Sequence, residues 1–121
     1  MTLFELGEFT AHSGQKLPFK IECDALSNDD LRALAALVGK KLTFSEVIGV
    51  PRGGIRFASF LKRYTKKEGP VLIVDDVLTT GTSMEMARQK CESADTIGLV
   101  IFARGTCPSW VSSLFTLSDW V

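Results

Sequence analysis

Residues 71–84, VLIVDDVLTTGTSM, constrain this chain more than any other stretch. Val71, Leu72, Ile73 and Val74 run without polar interruption into two adjacent carboxylates, Asp75 and Asp76. A strand that is apolar on both faces suits a parallel sheet covered on both sides. Thr79, Thr80, Thr82 and Ser83 then surround Gly81. An interior strand over 71–74 should therefore open at its carboxyl end into a pair of acids and a turn rich in hydroxyls.

The flanking sequence supports that setting. Residues 3–10 and 17–23 read as extended pieces, and Ser13-Gly14 between them makes a hairpin or a loosely paired arm. SNDDLRALAALVGKK reads as a helix, with Ser27 as cap, Asp29 and Asp30 at the positive pole and Gly39 closing it. Leu31, Leu34, Ala35 and Val38 form its apolar stripe. EVIGV is a short strand broken by PRGG. A second helix over 55–64 turns Phe57, Ala58, Leu61 and Tyr64 to one side. After the hydroxyl-rich turn comes a helix over 83–93, with Met84, Ala87 and Cys91 inward. TIGLVIFA and SLFTL are further strands, joined by the loop RGTCPSW.

Strands alternating with helices predict an α/β fold, a mostly parallel Rossmann-like sheet with helices on both faces. Without repeats or linkers, the 121 residues make one domain, 1–121. Residues 1–24 would be an N-terminal arm and 25–121 the core. In such sheets ligands sit beyond the carboxyl ends of the strands. Both unusual loops, PRGG and DDVLTTGTS, belong at that end.

Composition excludes several function classes. No apolar run approaches the ~20 residues of a membrane span, and the N-terminus lacks a secretory pattern, so a cytoplasmic protein without a membrane partner is expected. Cys23, Cys91 and Cys107 form no CxxC pair, and His12 is the single histidine, which leaves little for zinc. The thiols read as buried or idle. Zero formal net charge argues against nucleic acid. Lys62, Arg63, Lys66 and Lys67 read either as a solvated helix end or as a contribution to phosphate binding.

The two loops carry the chemistry. Gly81 permits a tight turn, a helix beginning near Ser83 adds its positive pole, and the hydroxyls donate; together they suit a phosphate monoester. A capped helix start without a ligand fits the same residues. Asp75 and Asp76 weigh against that, since neighbouring carboxylates repel and gain little structurally. The vicinal hydroxyls of a ribose would give both acids donors to accept from. Phosphate nest and diol reader together match a ribose 5-phosphate. In PRGG, Gly53 and Gly54 expose amides and Arg52 can fork onto phosphate oxygens, which suits a second anion of diphosphate size. Rival motifs fail: GxxxxGK[ST] and GxGxxG are both absent, and Val77 stands where a DxD phosphatase needs its second acid.

VLIVDDVLTTGTS resembles the signature of the type I phosphoribosyltransferases, which bind 5-phosphoribosyl-1-diphosphate (PRPP). The resemblance implies that Asp75 and Asp76 hold the ribose hydroxyls as the catalytic acids, and that Thr79, Thr80, Gly81, Thr82 and Ser83 hold the 5-phosphate. VPRGG resembles the family's diphosphate loop, which assigns diphosphate to Pro51, Arg52, Gly53 and Gly54 and implies a non-proline cis peptide between Pro51 and Arg52. GEFTAHSGQKLPFKI and IGLVIFAR are similar to stretches of the orotate branch. Thr79 stands where the 6-oxopurine branch has an acid. Base contacts then fall to Arg104, Lys20, His12 and Thr79.

The chain departs from that pattern as well. His12 replaces a lysine, and Lys20 falls where an aromatic would cover the base. RFASFLKRYTKKEGP is all that links Gly54 to Val71, where the family has a further strand and a long mobile loop. The resemblance thus implies a trimmed phosphoribosyltransferase. It would move the phosphoribosyl group from PRPP to a nitrogenous base, an orotate-like pyrimidine first, with Mg²⁺ held mainly through PRPP. The alternative is a catalytically impaired PRPP- or nucleotide-binding protein that keeps the fold. A homodimer is expected, with Trp110, Phe115 or Trp120 available for the contact.

Overall fold

The central strand is as interior as its composition demands: Leu72, Ile73 and Val74 are fully buried. In the computed structural model, residues 1–10, 14, 16–93 and 95–117 are described; His12, Ser13 and Trp120, singled out above, lie outside them. The elements run β1 (Phe4–Thr10), β2 (Lys16–Ile21), α1 (Asn28–Lys41), β3 (Glu46–Gly49), α2 (Gly53–Leu61) with a 3₁₀ turn at Lys62–Tyr64, β4 (Val71–Leu78), α3 (Thr82–Lys90), β5 (Thr96–Ala103) and β6 (Val111–Thr116). β3, β4, β5 and β6 lie side by side in that order, all parallel. β1 and β2 form a separate antiparallel pair, the expected arm.

Alternation along β4 sorts the core into two layers. Leu72 and Val74 face α1 and α2, meeting Leu31, Ala35, Phe57 and Leu61. Ile73 faces the opposite way, with Val100 and with Met84 of α3. Both faces are therefore covered, as the apolar run required. No helix among the described residues is long and apolar enough to cross a membrane.

This layering has a topological consequence. β3, β4 and β5 advance in one direction across the sheet, yet α2 and α3 lie on opposite faces. The β3–α2–β4 and β4–α3–β5 crossovers therefore have opposite hands, and one of them is left-handed, against a preference of ~98%. Only residues 65–70 separate the 3₁₀ turn from β4. That connection is tied down at the amino-terminal end of the sheet: Lys66 N–H donates to the Phe44 carbonyl at 2.8 Å, and the Ser45 hydroxyl to the Gly69 carbonyl at 2.7 Å.

Three local expectations need correction. Gly39 does not close α1; it lies inside the helix, where the Tyr64 ring packs so closely that a Cβ would overlap it. The helix ends instead at extended Leu42, whose N–H bonds the Val38 carbonyl. α3 stops at Lys90 rather than Ser93. Most consequentially, β4 does not stop at Val74. β3 runs out opposite Val74, but β5 goes on pairing, with Asp75 opposite Val100 and Leu78 opposite Ala103. The two acids are thus held within a strand, on the stretch where one neighbour has ended.

Aromatic rings fasten the arm to the sheet. Phe4 meets Phe19 and Phe102 edge-on at 6.2 and 6.0 Å, and Phe102 stacks on Phe115 at 5.3 Å. Of the residues considered for a contact between copies, Phe115 is 48% exposed, whereas Trp110 is packed beside the α3 core.

Candidate functional site

A cleft of about 560 Å³ opens at the carboxyl ends of β3 and β4. Its lining includes Pro51, Arg52 and Gly53, then Asp75 and Asp76, and all of Thr79, Thr80, Gly81, Thr82 and Ser83. Phe19 and Lys20 of the arm and Arg104 after β5 complete it. The two loops that the sequence singled out, separated by about twenty residues, therefore face one space. Gly54 is buried behind the cleft, and His12 lies outside the described residues.

Helix capping separates this cleft from the rest of the molecule. α1, remote from it, is fully capped: Ser27 Oγ accepts from Asp30 N–H and Asp30 Oδ2 accepts from Ser27 N–H. α2 and α3 both begin at the cleft and neither has a side-chain cap. The first amides of a helix have no intrahelical partners. At the α2 start the Gly54 and Ile55 N–H groups are taken by the Val50 and Arg52 carbonyls at 2.9 and 3.3 Å. At the α3 start Thr82 N–H has only a long 3.4 Å contact to Thr80 Oγ1, so the α3 start is the more open positive pole on the cavity. Gly81 starts α3 at φ 83°, a left-handed conformation that a side chain rarely adopts. Its neighbours' hydroxyls are close together, with Thr80 Oγ1 3.1 Å from Thr82 Oγ1.

The PRGG loop owes its glycines to β4. A Cβ at Gly54 would overlap the Val74 carbonyl oxygen, and one at Gly53 the Asp76 carboxylate. The glycines thus do more than expose amides: they bring the start of α2 against the acids. The Pro51–Arg52 peptide is cis, as the resemblance implied.

The two acids differ sharply. Asp75 is 9% exposed, its Oδ1 accepting from the Asp76 N–H at 2.8 Å and from nothing else among the described residues, while Asp76 is half-buried and accepts from the Val77 N–H. Burial first, then the carboxylate of Asp76, pushes the Asp75 carboxyl up to about 8. Neither acid forms an ion pair among the described residues. Cys23, close by, is an idle thiol, pushed up to about 12 by burial and the charge of Asp76.

At the arm side, Arg104 is 8% exposed and its guanidinium lies 4.2 Å over the Phe19 ring. Nη2 donates to the Phe19 carbonyl, but Nη1 is buried without a partner among the described residues. Burial lowers its pKa, yet a guanidinium stays charged. Lys20 also reaches the cleft, with Nζ 3.0 Å from Glu22, whose hydrogen bond and charge raise the lysine's pKa. Phe19, one residue before the position where the resemblance puts an aromatic, lines the cleft beside Lys20. Its alternation with Leu17 and Ile21, both buried, was the available signal.

Comparison with solved structures gives this arrangement a context. Orotate phosphoribosyltransferase from Aeropyrum pernix superposes with a TM-score of 0.76 at 24% identity, covering 95% of this chain and 88% of that one. This is the type I phosphoribosyltransferase fold. The UMP synthase of Leishmania donovani matches with a TM-score of 0.74 at 19% identity over 95% of this chain, which spans 34% of that protein. APRTase from Giardia lamblia, complexed with 9-deazaadenine, matches at 0.62 and 16% over 92% of this chain and 93% of its own. No family model matches the chain, and no curated protein matches it. The resemblance read from VLIVDDVLTTGTS is borne out at the level of the phosphoribosyltransferase fold.

Proposed function

We propose that this chain binds PRPP and transfers its phosphoribosyl group to a nitrogenous base. The observation that carries the reading is one cleft shared by the starts of α2 and α3, neither closed by a side chain of its N-cap residue, and a pair of carboxylates, whereas α1, remote from it, carries a full capping box. The α3 start, with Thr79 to Ser83, suits the 5-phosphate. Asp75 and Asp76 accept from the ribose hydroxyls. The α2 start, with Arg52, suits the diphosphate. The base nitrogen replaces diphosphate at C1 of the ribose and gives up its proton.

Among the described residues no cluster of three or more ligating side chains could cage a metal. Two adjacent carboxylates free of ion pairs nevertheless fit Mg²⁺ that arrives on the ligand's own oxygens. Bound in that way it would neutralise the leaving diphosphate. The phosphate contact is tested directly by Thr82→Ala with Ser83→Ala. Hydrogen bonds to a charged group are worth ~1.5–3 kcal/mol each. Calorimetric affinity for PRPP should therefore fall about a hundredfold or more, and unchanged affinity would refute the reading.

The orphaned Nη1 of Arg104 selects the base. A buried guanidinium with a spare donor calls for an acceptor on the incoming ring, a carbonyl or carboxylate, so an acidic pyrimidine such as orotate is the first base to try. Arg104→Gln should raise KM for that base by about ten- to a hundredfold while PRPP affinity stays put. A parallel loss of both would mean that the arginine serves only to hold the arm.

The position of residues 65–70 favours a second reading. They lie at the end of the sheet remote from the cleft and cannot cover a bound diphosphate. Exclusion of water completes many active sites, so a PRPP or nucleotide binder without turnover is the alternative. Diphosphate release, measured with orotate and then other bases, separates the two. Saturable PRPP binding with no release for any base would establish the binder.

A further inference from the structure

The zero net charge, which on the sequence argued against a nucleic-acid partner, averages over two regions of opposite sign. Residues 39–67 hold eight of the 14 cations and one acid, leaving six cations and 13 acids elsewhere. Two of the eight stand at the start of α2, Arg52 lining the cleft and Arg56 bonded to the Leu26 carbonyl and Asn28. The other six gather at the opposite end of the sheet. Lys40 and Lys41 finish α1, Lys62 and Arg63 belong to the 3₁₀ turn, and Lys66 and Lys67 follow it.

Packing makes these segments one surface. The Tyr64 ring lies against Gly39, immediately before Lys40, and Lys66 N–H is bonded to the Phe44 carbonyl. All six cations are exposed, and none is in an ion pair among the described residues. The carbonyl pole of α1 suits Lys40 and Lys41. It does nothing for Lys66 and Lys67, which lie outside any helix. The acids at that end, Glu46, Glu68 and Asp95, are outnumbered and none is paired with these cations among the described residues, which leaves an excess of positive charge that an anionic partner would relieve.

We propose that this platform binds single-stranded nucleic acid along its phosphodiester backbone. A flexible polyanion can meet scattered cations one phosphate at a time and release condensed counterions as it does so. Tyr64, half-buried against Gly39 with Arg63 5.6 Å over its ring, braces the cation-bearing segments rather than offering a free face. A bilayer is the poorer partner. The apolar side chains beneath the cations, Phe44 and Leu61, are both 0% exposed, so they offer nothing to bury among acyl chains. The proposal stands apart from the cleft, since the length of β4 separates the two.

The test is fluorescence anisotropy with a labelled oligouridylate of about 20 nucleotides, without PRPP. Each phosphate neutralised on a single strand contributes a salt slope of about −0.7. Six contacts should lower affinity by roughly two orders of magnitude between about 50 and 200 mM salt. Lys62→Gln, Arg63→Gln, Lys66→Gln and Lys67→Gln together should weaken binding at least about tenfold and flatten the slope by about 3. Saturating PRPP should change neither quantity. If circular dichroism shows the quadruple variant unfolded, Lys40→Gln with Lys41→Gln makes the same comparison, with a slope change of about 1.4. Absence of binding at low salt, a slope unchanged in the variants, or tighter binding to phosphatidylserine vesicles than to the oligonucleotide would each overturn the proposal.

Discussion

Gly54→Ala is expected to cost the protein much of its thermal stability, whereas Gly53→Ala should cost it only its ligand. Both added methyl groups meet an atom closer than any real contact, but the atoms differ. At Gly54 the obstacle is the Val74 carbonyl oxygen, on a fully buried strand that pairs with β3 and β5. The Val50 N–H also bonds that carbonyl at 2.8 Å. Backbone pinned on both sides cannot yield, so α2 would have to lift from the sheet and take Phe57, Ala58 and Leu61 out of the core. Overpacking costs about 1–3 kcal/mol and occasionally more. The upper end applies here, on the order of 10–15 °C in Tm for a domain of this size. At Gly53 the obstacle is the Asp76 carboxylate, which can rotate away. Thermal melting should change little there, while PRPP affinity drops because the displaced acid leaves the ribose. Equal losses of Tm in the two variants would contradict this account of the loop.

That contrast marks where sequence reasoning stops. Val71 to Val74 announced an interior strand through composition alone, and the hydroxyls around Gly81 announced a turn, because both signals are local. The continuation of β4 through Asp75 and Asp76 was not legible. Charged residues normally end a strand pattern, and here β5 supplies the pairing that holds them. Gly39 looked like a helix terminator because its partner, the Tyr64 ring, is remote in sequence. Gly53 and Gly54 were read for the amides they expose, and their close approach to β4 needed the tertiary structure. The aromatic that lines the cleft is Phe19, one residue before Lys20, and both side chains reach it, which pattern alone did not show. The hand of the crossovers was equally hidden. It depends on which face α2 chooses, and the apolar stripes of a two-sided sheet do not encode that choice.

Asp75→Asn should separate stability from function along the pH axis. The native carboxyl is held at about 8, chiefly because burial disfavours its charge. An aspartate in the unfolded chain titrates near 3.9. The folded state therefore binds the proton more tightly, and folding is favoured most below the unfolded value. That advantage is lost steadily as pH rises from about 4 to about 8 and is gone above it. A carboxylate forced to ionise in place costs on the order of a few kcal/mol at the alkaline end. A neutral amide at this position carries no such penalty, so the variant should melt higher than the native protein at about pH 8.5 and show a flatter stability profile between these limits. At about pH 8.5, where the native acid is ionised, it should also bind PRPP at least about tenfold more weakly, because an amide is a poorer acceptor for ribose hydroxyls than a carboxylate. A gain of stability with a loss of affinity is the signature of a residue kept for its ligand at the expense of the empty fold. A variant that melts lower at every pH while binding PRPP normally would instead make Asp75 a structural acid, and the ribose contact would have to be sought elsewhere.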